Sequence, residues 1–435
     1  MKVFKFGGAS VNSIERIKNI ANILNKFNTD NLVVVISAMG KTTNALEKVA
    51  TSFFDGNTSM ALELFEEVKQ QHLALAKNLM PINFNLCKNQ LANFFTEAEW
   101  LLHDTPVRKY DYYYDQIVSI GELLSTCIIS NYLNEVKIAN TWLDVRDFIR
   151  TDNNFRDATV DWNVTLLKVE KLNLGSTNET NSSDNELPTS YLVPRKLYIT
   201  QGFIGATDDN ENTTLGREGS DYTAAIFANL LNAESLTIWK DVEGVMNADP
   251  KQFADAQLIA ALNFEEVIEM AFYGAQVIHP KTIKPLHNKK IPLLVKCFLD
   301  PSLPGTIIHN KLIKDLPPII VVKEKQVLMH LHSQDFSFVG EEPMSFLYNL
   351  FTTIKLKPNL IQTCAVSVQV CLDDNAEKIE TLAAKLATTF DVQIQKELTL
   401  ITIRNYNKSI VEKMVLGKTI LLQQQTQSTF QALCF

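Results

Sequence analysis

The chain has no excess of positive charge and no long apolar run, and each absence excludes a class of protein. It carries 41 Lys and Arg residues against 49 Asp and Glu residues, for a net charge of -8. A general affinity for nucleic acid or for an anionic membrane is therefore not expected. No uninterrupted apolar stretch approaches the ~20 residues that a helix needs to span a bilayer. Any basic site must be local.

Cysteine is sparse and shows no spacing typical of a metal or redox site. The six cysteines include no Cys-x-x-Cys pair and no neighbouring histidine at a spacing suited to zinc. We expect them to be reduced and mostly buried, with Cys364 and Cys371 as a candidate redox pair. The amino terminus lacks the charged lead, apolar stretch and small-residue cleavage site of a secretory signal, so a cytoplasmic location is predicted.

Length and composition predict a globular protein with more than one domain. The 435 residues exceed what one hydrophobic core usually supports, so two or three domains are expected. With 46% hydrophobic and 21% charged residues, the chain has enough apolar content to build those cores.

The start of the chain predicts the first unit of a nucleotide-binding α/β sheet. Lys2 to Phe6 is expected to form a strand, Gly7-Gly8 a turn, and Ser10 the cap of a following helix. Ligands collect at the carboxyl ends of the strands in such sheets, and Lys5 lies at that end. The alternative is an edge-strand lysine that points to water. Its place between two phenylalanines, immediately before two glycines, counts against that alternative.

A second strand is predicted from Leu32 to Ile36. Its apolar residues are continuous, as expected when both faces of a sheet are covered. The strand ends at Ser37, and residues 39–44 supply hydroxyls and amides that suit a small polar substrate. From these residues alone, an ordinary loop that caps a helix from Ala45 is the simpler interpretation.

The stretch from Thr213 to Ala225 predicts a loop that leads into a buried helix. Apolar residues recur at helical spacing as far as Leu231, and Ser220 or Asp221 stands where an N-cap is wanted. The free N–H groups of the first turn, with flexible glycines in front, would suit an anion. Arg217 could bind a carboxylate or phosphate through two parallel hydrogen bonds. A glycine turn, a capped helix and a surface arginine remain an equal alternative.

Other segments give weaker signals. Gly121-Glu122 precedes an apolar helix from Leu123 to Leu133, so this glutamate is either a helix-start residue favoured by the dipole or a ligand for an ammonium group. Val136 to Thr141 and Lys196 to Phe203 are predicted strands. Residues 173–190 are rich in Ser, Thr and Asn and predict a surface excursion of low order.

Six segments follow one another in a recognisable order. They are Lys5-Phe6-Gly7-Gly8-Ala9-Ser10, Ser37-Ala38-Met39-Gly40-Lys41-Thr42-Thr43-Asn44, Ser119-Ile120-Gly121-Glu122, Thr213-Thr214-Leu215-Gly216-Arg217-Glu218-Gly219-Ser220-Asp221-Tyr222, Trp239-Lys240-Asp241-Val242-Glu243-Gly244-Val245 and Tyr273-Gly274-Ala275-Gln276-Val277-Ile278-His279-Pro280. Together they resemble the motifs of aspartate kinases in the amino acid kinase superfamily, as far as about Leu286. The resemblance implies an α/β fold, an open sheet sandwiched by helices, followed by a smaller ferredoxin-like α+β region.

The implied reaction transfers the γ-phosphoryl group of ATP to the side-chain carboxylate of L-aspartate, giving 4-phospho-L-aspartate. That nucleophile is already ionised at neutral pH, since its reference pKa is about 3.9, so no general base is required. The enzyme must hold two anions in line and neutralise charge, which calls for cations, backbone N–H groups and Mg²⁺. No sequence cluster resembles a metal cage, so Mg²⁺ is expected to arrive with ATP.

The resemblance also assigns roles to individual residues. Lys5 would contact the transferring phosphoryl group, Asp221 would orient Lys5 or the metal-bound phosphate, and Arg217 would bind the substrate carboxylate. Glu122 would bind the substrate ammonium group. The remaining substrate contacts would be Thr43 and Ser220, and the remaining nucleotide contacts would be Gly7, Gly8, Ser37, Lys240, Asp241, Met246 and Lys251.

Four positions depart from the family pattern. Glu218 places an extra carboxylate beside an anion site, which could repel substrate unless it points outward. Gln276 removes a cation, which weakens the nucleotide assignment unless Lys240 compensates. The departures are Glu218 in place of a frequent glycine, Met246 in place of an adenine-contacting tyrosine, Lys251 in place of an arginine, and Gln276 in place of a phosphate-contacting lysine.

The same resemblance predicts the domain organisation. A catalytic domain is expected at 1–309, a linker at 310–320 and a regulatory region at 321–435. Beyond the linker, short strands alternate with helices in the order of ferredoxin-like modules. Aspartate kinases carry paired modules of this kind, called ACT domains, so two interleaved modules are expected.

In many family members the ACT modules bind an end-product amino acid and hold subunits together. A feedback effector such as lysine or threonine, and a homodimer or higher homo-oligomer, are therefore implied. The loop from Gln334 to Glu342 lacks the Asp-x-x-Pro-Gly type of sequence common in ligand-binding copies, which weakens the expectation of an effector.

Two other functions fit the same motifs. One is another acidic amino acid kinase or a carbamate kinase of the superfamily, and the other is a catalytically inactive amino-acid sensor. Glu218 and Gln276 motivate the sensor, whereas the survival of Lys5, Glu122 and Arg217 favours an active enzyme. Our prediction is an aspartate kinase, committed to the pathway that leads to lysine, threonine, methionine and, in many bacteria, diaminopimelate.

Overall fold

The computed structural model describes residues 1–171, 196–275 and 277–435. The predicted polar excursion at 173–190 and the departure at Gln276 lie outside the described residues. The chain divides into two compact units, and the division does not follow a single cut at a linker. The first unit comprises Met1–Val245, Ala260–Ile268 and Ile278–Leu312, and the second comprises Met246–Ile259, Glu269–Val277 and Ile313–Phe435.

A mostly parallel sheet forms the centre of the first unit. Its eight strands are β1 (Lys2–Phe6), β2 (Leu32–Ile36), β3 (Thr141–Leu143), β4 (Leu197–Gln201), β7 (Ser235–Lys240), β8 (Ala261–Asn263), β9 (Leu293–Cys297) and β10 (Thr306–His309). Two further strands, β5 (Ile204–Ala206) and β6 (Asn212–Thr214), form a separate antiparallel pair. The order in the sheet is β3-β4-β2-β1-β7-β9-β10-β8. Among these described strands, β9 and β10 pair antiparallel and the other neighbours pair parallel. The strand that carries Lys5 therefore lies in the middle of the sheet.

Helices cover this sheet on both faces. They are α1 (Ile14–Lys26), α2 (Thr42–Phe54), α3 (Thr58–Leu79), α4 (Phe84–Leu102), α5 (Tyr110–Val118), α6 (Ile120–Glu135), α7 (Trp162–Lys171), α8 (Gly219–Leu230), α9 (Phe264–Tyr273), whose second half belongs to the second unit, and α10 (Pro280–Lys289). α8 packs on β1, β2 and β7, and α6 packs on β2, β3 and β4. All five residues of β2 are buried, as expected for a strand with two covered faces.

The first helix begins later than the sequence pattern predicted. Gly8 to Val11 form a short 3-10 turn, in which the Ser10 N–H donates to the Gly7 carbonyl at 2.9 Å. The cap of α1 is Ser13, whose hydroxyl oxygen accepts from the Arg16 N–H at 3.3 Å. The prediction that Ser10 caps this helix was therefore wrong, because the glycine turn needs three more residues before the helix can start.

The predicted strand from Val136 to Thr141 is also mostly absent. Residues 136–138 instead end α6: Lys137 adopts φ of 64°, and the Ile138 N–H donates to the Leu133 carbonyl at 2.8 Å. Left-handed residues of this kind satisfy the last carbonyls of a helix. The strand β3 begins only at Thr141, so the β-branched residues before it serve the helix end.

An antiparallel six-stranded sheet forms the second unit. Its elements are β11 (Ile319–Ser333), α11 (Glu341–Ile354), β12 (Pro358–Thr363), β13 (Ser367–Asp373), α12 (Ala376–Leu386), β14 (Phe390–Arg404), α13 (Lys408–Val415), β15 (Ile420–Gln425) and β16 (Thr429–Cys434). The order is β12-β13-β11-β14-β16-β15. Helix α12 stops at Leu386, and Phe390 starts β14 and is buried in the core.

No helix in the described part of the chain has both the length and the apolar character required to cross a membrane.

Candidate active site

A buried ion pair lies at the carboxyl end of the central strand. Lys5 is the penultimate residue of β1, and its Nζ lies 2.6 Å from Oδ1 of Asp221 in the first turn of α8. The side chains are 13% and 5% exposed. Since residues alternate along a strand, Lys5 points away from the face that buries Phe4 and Phe6. The structure therefore brings together two of the three residues predicted for catalysis.

A glycine turn brings the backbone after β1 against the turn after β2. A Cβ added at Gly8 would lie 2.7 Å from the Ala38 carbonyl oxygen, closer than any real side chain allows. The Gly40 N–H donates to the Gly8 carbonyl at 3.0 Å. A Cβ at Gly7 would meet only the Lys5 amine, at 3.3 Å. Glycine at position 8 is thus required by the close approach of two backbones.

The turn after β2 carries Ser37 and leads into α2. The Ser37 N–H donates to the Phe6 carbonyl at 3.1 Å, and its carbonyl accepts from the Ser125 hydroxyl at 2.8 Å. Helix α2 begins at Thr42, earlier than the predicted Ala45, which puts half-buried Thr43 in its first turn. A cavity of about 570 Å³ opens beside residues 39–42. The predicted hydroxyl contacts therefore lie at a helix start.

Glu122 is buried in the first turn of α6, next to the same turn. Its Oε1 accepts from the Ala38 N–H at 3.3 Å, whereas its Oε2 is buried and has no hydrogen-bond partner among the described residues. Burial raises the pKa of this carboxyl to about 8. Neighbouring Gly121 packs against Ala38, and an added Cβ would approach it to 3.2 Å. An unsatisfied buried carboxyl oxygen is suited to receive a donor from a ligand.

The loop before α8 presents Arg217 to solvent. Gly216 and Glu218 on either side of it adopt φ of 76° and 55°, and the exposed arginine lies between these two left-handed residues. Glu218 occupies the N-cap position of α8, so the predicted cap at Ser220 or Asp221 was wrong. The helix starts two positions earlier than a cap at Ser220 would give, because the left-handed Glu218 turns the chain into the helix.

Ser220 is buried in the first turn of α8 for a packing reason. A Cβ added at Gly202 would lie 2.5 Å from the Cβ of Ser220, so the helix start rests directly on the end of β4. Asp221 follows it into the pair with Lys5. Ser220, Asp221 and Arg217 thus belong to one short loop-and-helix segment at the same edge of the sheet as Lys5.

The residues predicted for the nucleotide side are less closely grouped. Lys240 ends β7, and its carbonyl accepts from the Phe298 N–H at 2.7 Å. The carboxylate of Asp241 pairs with Arg16 of α1 at 2.8 Å. Met246 and Lys251 belong to the second unit, where Met246 forms a single β-bridge with Leu258. Their contact with a nucleotide stays a prediction.

Comparison with known proteins identifies the family. A model of the amino acid kinase family matches residues 1–297. Lysine-sensitive aspartokinase 3 of Escherichia coli is 30% identical over 418 residues, which are 92% of this chain and 86% of that protein. The chain belongs to the aspartokinase family.

Other aspartokinases are similar over most of the chain. Chloroplastic aspartokinase 2 of Arabidopsis thaliana is 32% identical over 386 residues, 85% of this chain but only 66% of that longer protein. The crystal structure of Escherichia coli aspartokinase III in complex with aspartate and ADP covers 100% of this chain and 96% of its own, at 27% identity and a TM-score of 0.77. The predicted α/β fold with a carboxyl-terminal ACT-type region is confirmed.

The structure explains how this aspartokinase accommodates Glu218. Its Oε2 accepts from the His279 N–H at 3.0 Å, so the extra carboxylate is held at the start of α10. The imidazole of His279 caps that helix by accepting from the Lys281 N–H at 3.2 Å, and partial burial lowers its pKa. The negative charge next to Arg217 therefore already has a protein partner.

Sequence reasoning missed Asp115, a fully buried carboxylate on α5. Its oxygens accept three hydrogen bonds from Thr214 and Arg156. Burial raises the pKa of Asp115 to about 6, although these hydrogen bonds oppose the rise. The sequence gives no signal for it, because a residue two positions from the apolar Tyr113 and Ile117 is expected on the opposite face of a helix, whereas in the structure all three are buried.

The described residues contain no group of three or more His, Cys, Asp or Glu side chains that could hold a metal ion. The carboxylate of Asp221 is engaged by Lys5. An all-protein cage does not fit this donor set. A Mg²⁺ ion bound mainly by nucleotide oxygens and water does fit it, since Mg²⁺ usually keeps such ligands.

Proposed function

We propose that this aspartokinase transfers the γ-phosphoryl group of ATP to the side-chain carboxylate of L-aspartate, with Lys5, Asp221 and Arg217 as its catalytic residues. ATP-dependent phosphorylation of aspartate is the activity of its family. In the reaction an aspartate carboxylate oxygen attacks the γ-phosphorus, the bond to the β-phosphate oxygen breaks, and ADP leaves with the electron pair. No proton has to move at the nucleophile, because that carboxylate is ionised at neutral pH.

The observation that carries the proposal is the buried pair of Lys5 and Asp221 beside the glycine turn. An ammonium group held 2.6 Å from a carboxylate, with both side chains largely withdrawn from water, is pre-oriented for a ligand. Charge that develops on a transferring phosphoryl group is stabilised most by such fixed cations in a site of low dielectric. Lys5 neutralises this charge, and Asp221 keeps Lys5 in place.

Backbone and hydroxyl groups bind the nucleotide around this cation. Gly7 and Gly8 let the chain approach the phosphates, since residue 8 has no room for a side chain. Ser37 contributes from the end of β2, and Lys240 from the end of β7. Asp241 contributes to nucleotide binding indirectly, because its carboxylate holds the guanidinium of Arg16 in an ion pair. The related Escherichia coli enzyme binds ADP and aspartate together, which supports a shared site.

The remaining nucleotide contacts come from residues 246 to 251. Met246 would pack against the adenine, and Lys251 would add a positive charge. Lys251 is exposed, and its N–H donates to the Asp249 carboxylate at 2.9 Å. A Mg²⁺ ion bound together with ATP would supply positive charge to the phosphates during transfer.

Aspartate is held at both of its charged ends. Glu122 receives the ammonium group on its unsatisfied Oε2, and Arg217 receives a carboxylate. Thr43 and Ser220 add hydroxyl contacts. The raised pKa of Glu122 means that the carboxyl is largely protonated near neutral pH before substrate arrives, so binding of an ammonium group releases that proton. This arrangement suits an amino acid better than an acceptor without a free ammonium group.

The test is ATP-dependent acyl-phosphate formation trapped with hydroxylamine. Replacement of Lys5 by alanine should reduce turnover by on the order of 10²–10³-fold. Lys2→Ala is the matched control, because Lys2 lies on the same strand and pairs with Asp30 at 2.9 Å. It should leave turnover within twofold. Full activity of Lys5→Ala would remove Lys5 from the mechanism.

The acceptor is tested by comparing aspartate with glutamate and N-acetylglutamate. Only aspartate should give rapid turnover. N-acetylglutamate lacks the ammonium group that Glu122 binds, so a preference for it would favour another kinase of the superfamily. Absence of turnover with every acceptor would favour an amino-acid sensor.

Regulation, assembly and location extend the proposal. A relative is named for its lysine sensitivity, so lysine is the first effector to test, followed by threonine and methionine. Each amino acid should be added singly to the hydroxylamine assay. A homodimer through the second unit and a cytoplasmic location are the expectations for this chain, to be checked by light scattering and by cell fractionation.

A further inference from the structure

Asp115 joins two segments that are far apart in sequence. Its Oδ2 accepts from the backbone N–H of Thr214 at 2.8 Å and from the backbone N–H of Arg156 at 2.9 Å. Its Oδ1 accepts from the Thr214 hydroxyl at 2.7 Å. The residue has no exposed surface. One buried side chain thus fixes the end of β6 to the loop that follows β3.

These two segments enclose the backbone immediately before Arg217. A Cβ added at Gly216 would lie 2.5 Å from the Asp157 carboxylate and 3.3 Å from the Arg156 carbonyl oxygen. The Thr214 carbonyl accepts from the Ala158 N–H at 2.9 Å. The loop at residues 156–158 therefore lies directly against Gly216, and its position limits where Arg217 can go.

Arg156 has a conformation that needs outside support. Its φ is 69°, in the left-handed region that disfavours side chains other than glycine. The guanidinium carbon lies 4.3 Å from the Tyr114 ring centre, and one of its nitrogens lies 3.4 Å from the Asp111 carboxylate. The side chain is thus anchored to the part of α5 that precedes Asp115. Without the backbone hydrogen bond to Asp115, the left-handed turn would lose its central contact.

We propose that Asp115 is a positioning residue for substrate binding, which ties Thr214 to Arg156 and so fixes the backbone that carries Arg217. This role rests on the carboxylate-binding function proposed for Arg217. Asp115 touches neither substrate and acts through the loop. Its removal should therefore affect the affinity for aspartate far more than the affinity for ATP.

The hydrogen-bond pattern supplies a diagnostic pair of substitutions. An asparagine can keep all three contacts, because its amide oxygen accepts from both backbone N–H groups while its NH₂ donates to the Thr214 hydroxyl. An alanine leaves two buried N–H groups without an acceptor. Asp115→Asn should therefore behave like the wild type, and Asp115→Ala should not. A requirement for the negative charge itself would give the same defect in both.

The experiment measures KM for aspartate, KM for ATP and kcat in the full chain. Asp115→Ala should raise KM for aspartate by about tenfold or more and leave KM for ATP within twofold. Asn131→Ala is the matched control, since Asn131 is also buried and donates to the Gln90 side chain at 2.7 Å, on α4. It should lower thermal stability without changing either KM. An equal rise in both KM values for Asp115→Ala, or an unchanged KM for aspartate, would overturn the proposal.

Two additions keep the test decisive. If Asp115→Ala does not fold, Thr214→Val removes only the hydroxyl contact and should raise KM for aspartate two- to threefold. Amide hydrogen exchange of residues 214–219 does not depend on turnover, and it should accelerate in Asp115→Ala but not in Asp115→Asn. Faster exchange in Asp115→Ala, together with no turnover by the wild type, would support the positioning role and remove the proposed function. Unchanged exchange in Asp115→Ala, together with normal turnover by the wild type, would remove only the positioning role.

Discussion

The two ends of β1 place lysines in opposite environments. Lys2, at the amino end, pairs with Asp30 at 2.9 Å, and both side chains are more than a quarter exposed. Lys5, at the carboxyl end, pairs with Asp221 at 2.6 Å, and both are largely buried. Exposed pairs contribute about 0–1 kcal/mol, whereas a buried pair also carries a large desolvation cost. Stability alone does not account for the buried charge of Lys5, so its presence at the carboxyl end of β1 is better explained by function.

The same contrast extends along the carboxyl edge of the sheet. Glu122 is fully buried there, and its pKa is raised to about 8. Perturbed ionisable groups of this kind cluster at functional sites. Single substitutions can test this difference between exposed charges at the amino edge of the sheet and buried charges at its carboxyl edge.

The largest effect is expected from breaking the two ion pairs in turn. Asp221→Ala leaves Lys5 buried without a partner and should lower the free energy of unfolding of the first unit by about 3–5 kcal/mol. Asp30→Ala should lower it by no more than about 1 kcal/mol. Urea denaturation followed by tryptophan fluorescence measures both. Equal losses would mean that burial does not distinguish the two ends of β1.

The next effect is the contribution of Glu122 to the pH dependence of the free energy of unfolding. Its pKa is raised from 4.5 to about 8 in the folded protein, so between these values the folded state holds a proton that the unfolded state has released. Stability contributed by this group is therefore lost as pH rises, and the loss is complete above pH 8.

Glu122→Gln removes that dependence and should make the ligand-free protein about 1–3 kcal/mol more stable than the wild type at pH 9. The two proteins should differ less at pH 5. Saturating aspartate should reverse the order at pH 9, because the variant cannot pair with the ammonium group. A difference between the two proteins that does not change with pH would contradict the assigned pKa.

A smaller effect should separate the two glycines after β1. Gly8→Ala forces a Cβ to within 2.7 Å of the Ala38 carbonyl oxygen and should cost about 1–3 kcal/mol, with a matching rise in KM for ATP. Gly7→Ala meets only the flexible end of Lys5, at 3.3 Å, and should cost less than about 1 kcal/mol. Thermal unfolding and steady-state kinetics give both quantities. The comparison fails if Gly7→Ala is the more damaging change.

The smallest effect is expected at Glu218. Glu218→Gly loses the hydrogen bond to the His279 N–H, worth about 1 kcal/mol, but it relieves a left-handed side chain at a similar gain. The unfolding free energy should change by less than about 0.5 kcal/mol, and KM for aspartate by less than twofold. A strong fall in KM would show that this carboxylate repels the substrate after all.

The sequence predicted the residues at the strand ends better than it predicted helix boundaries. The strand Leu32–Ile36 matches β2 at both ends, because five consecutive apolar residues and the polar Ser37 leave little freedom. The cap of α8 was misplaced, since a left-handed glutamate at position 218 cannot be recognised from residue type. The contact of Glu218 with His279 joins residues 61 apart in sequence. Side-chain hydrogen bonds of this kind depend on tertiary packing, which local patterns do not encode.

The motifs indicated the chemistry of the site but not its supporting contacts. Lys5, Glu122 and Asp221 stood out because polar residues follow apolar strands or open apolar helices. Asp115 did not, because an acid within an aromatic helix, like the exposed Asp111 on the same helix, resembles a surface residue until its burial is known. The pairing of Asp241 with Arg16 was likewise invisible, since the two residues are 225 positions apart.

The strands β11 and β14 are each 15 residues long, and both run from one half of the second unit's sheet into the other. The carboxyl-terminal half of β11 pairs with β13 and its amino-terminal half pairs with β14 alone, while the far half of β14 pairs with β16. The apolar cluster under α11 and α12 and the one under α13 therefore share two continuous backbones. The pairing of β11 with β14 is interrupted by register irregularities between Lys323 and Leu328, where the chain passes from one cluster to the other. Because a bulge disrupts the ladder locally, a slip of one residue in one half would invert the side chains of that half and stop at this segment.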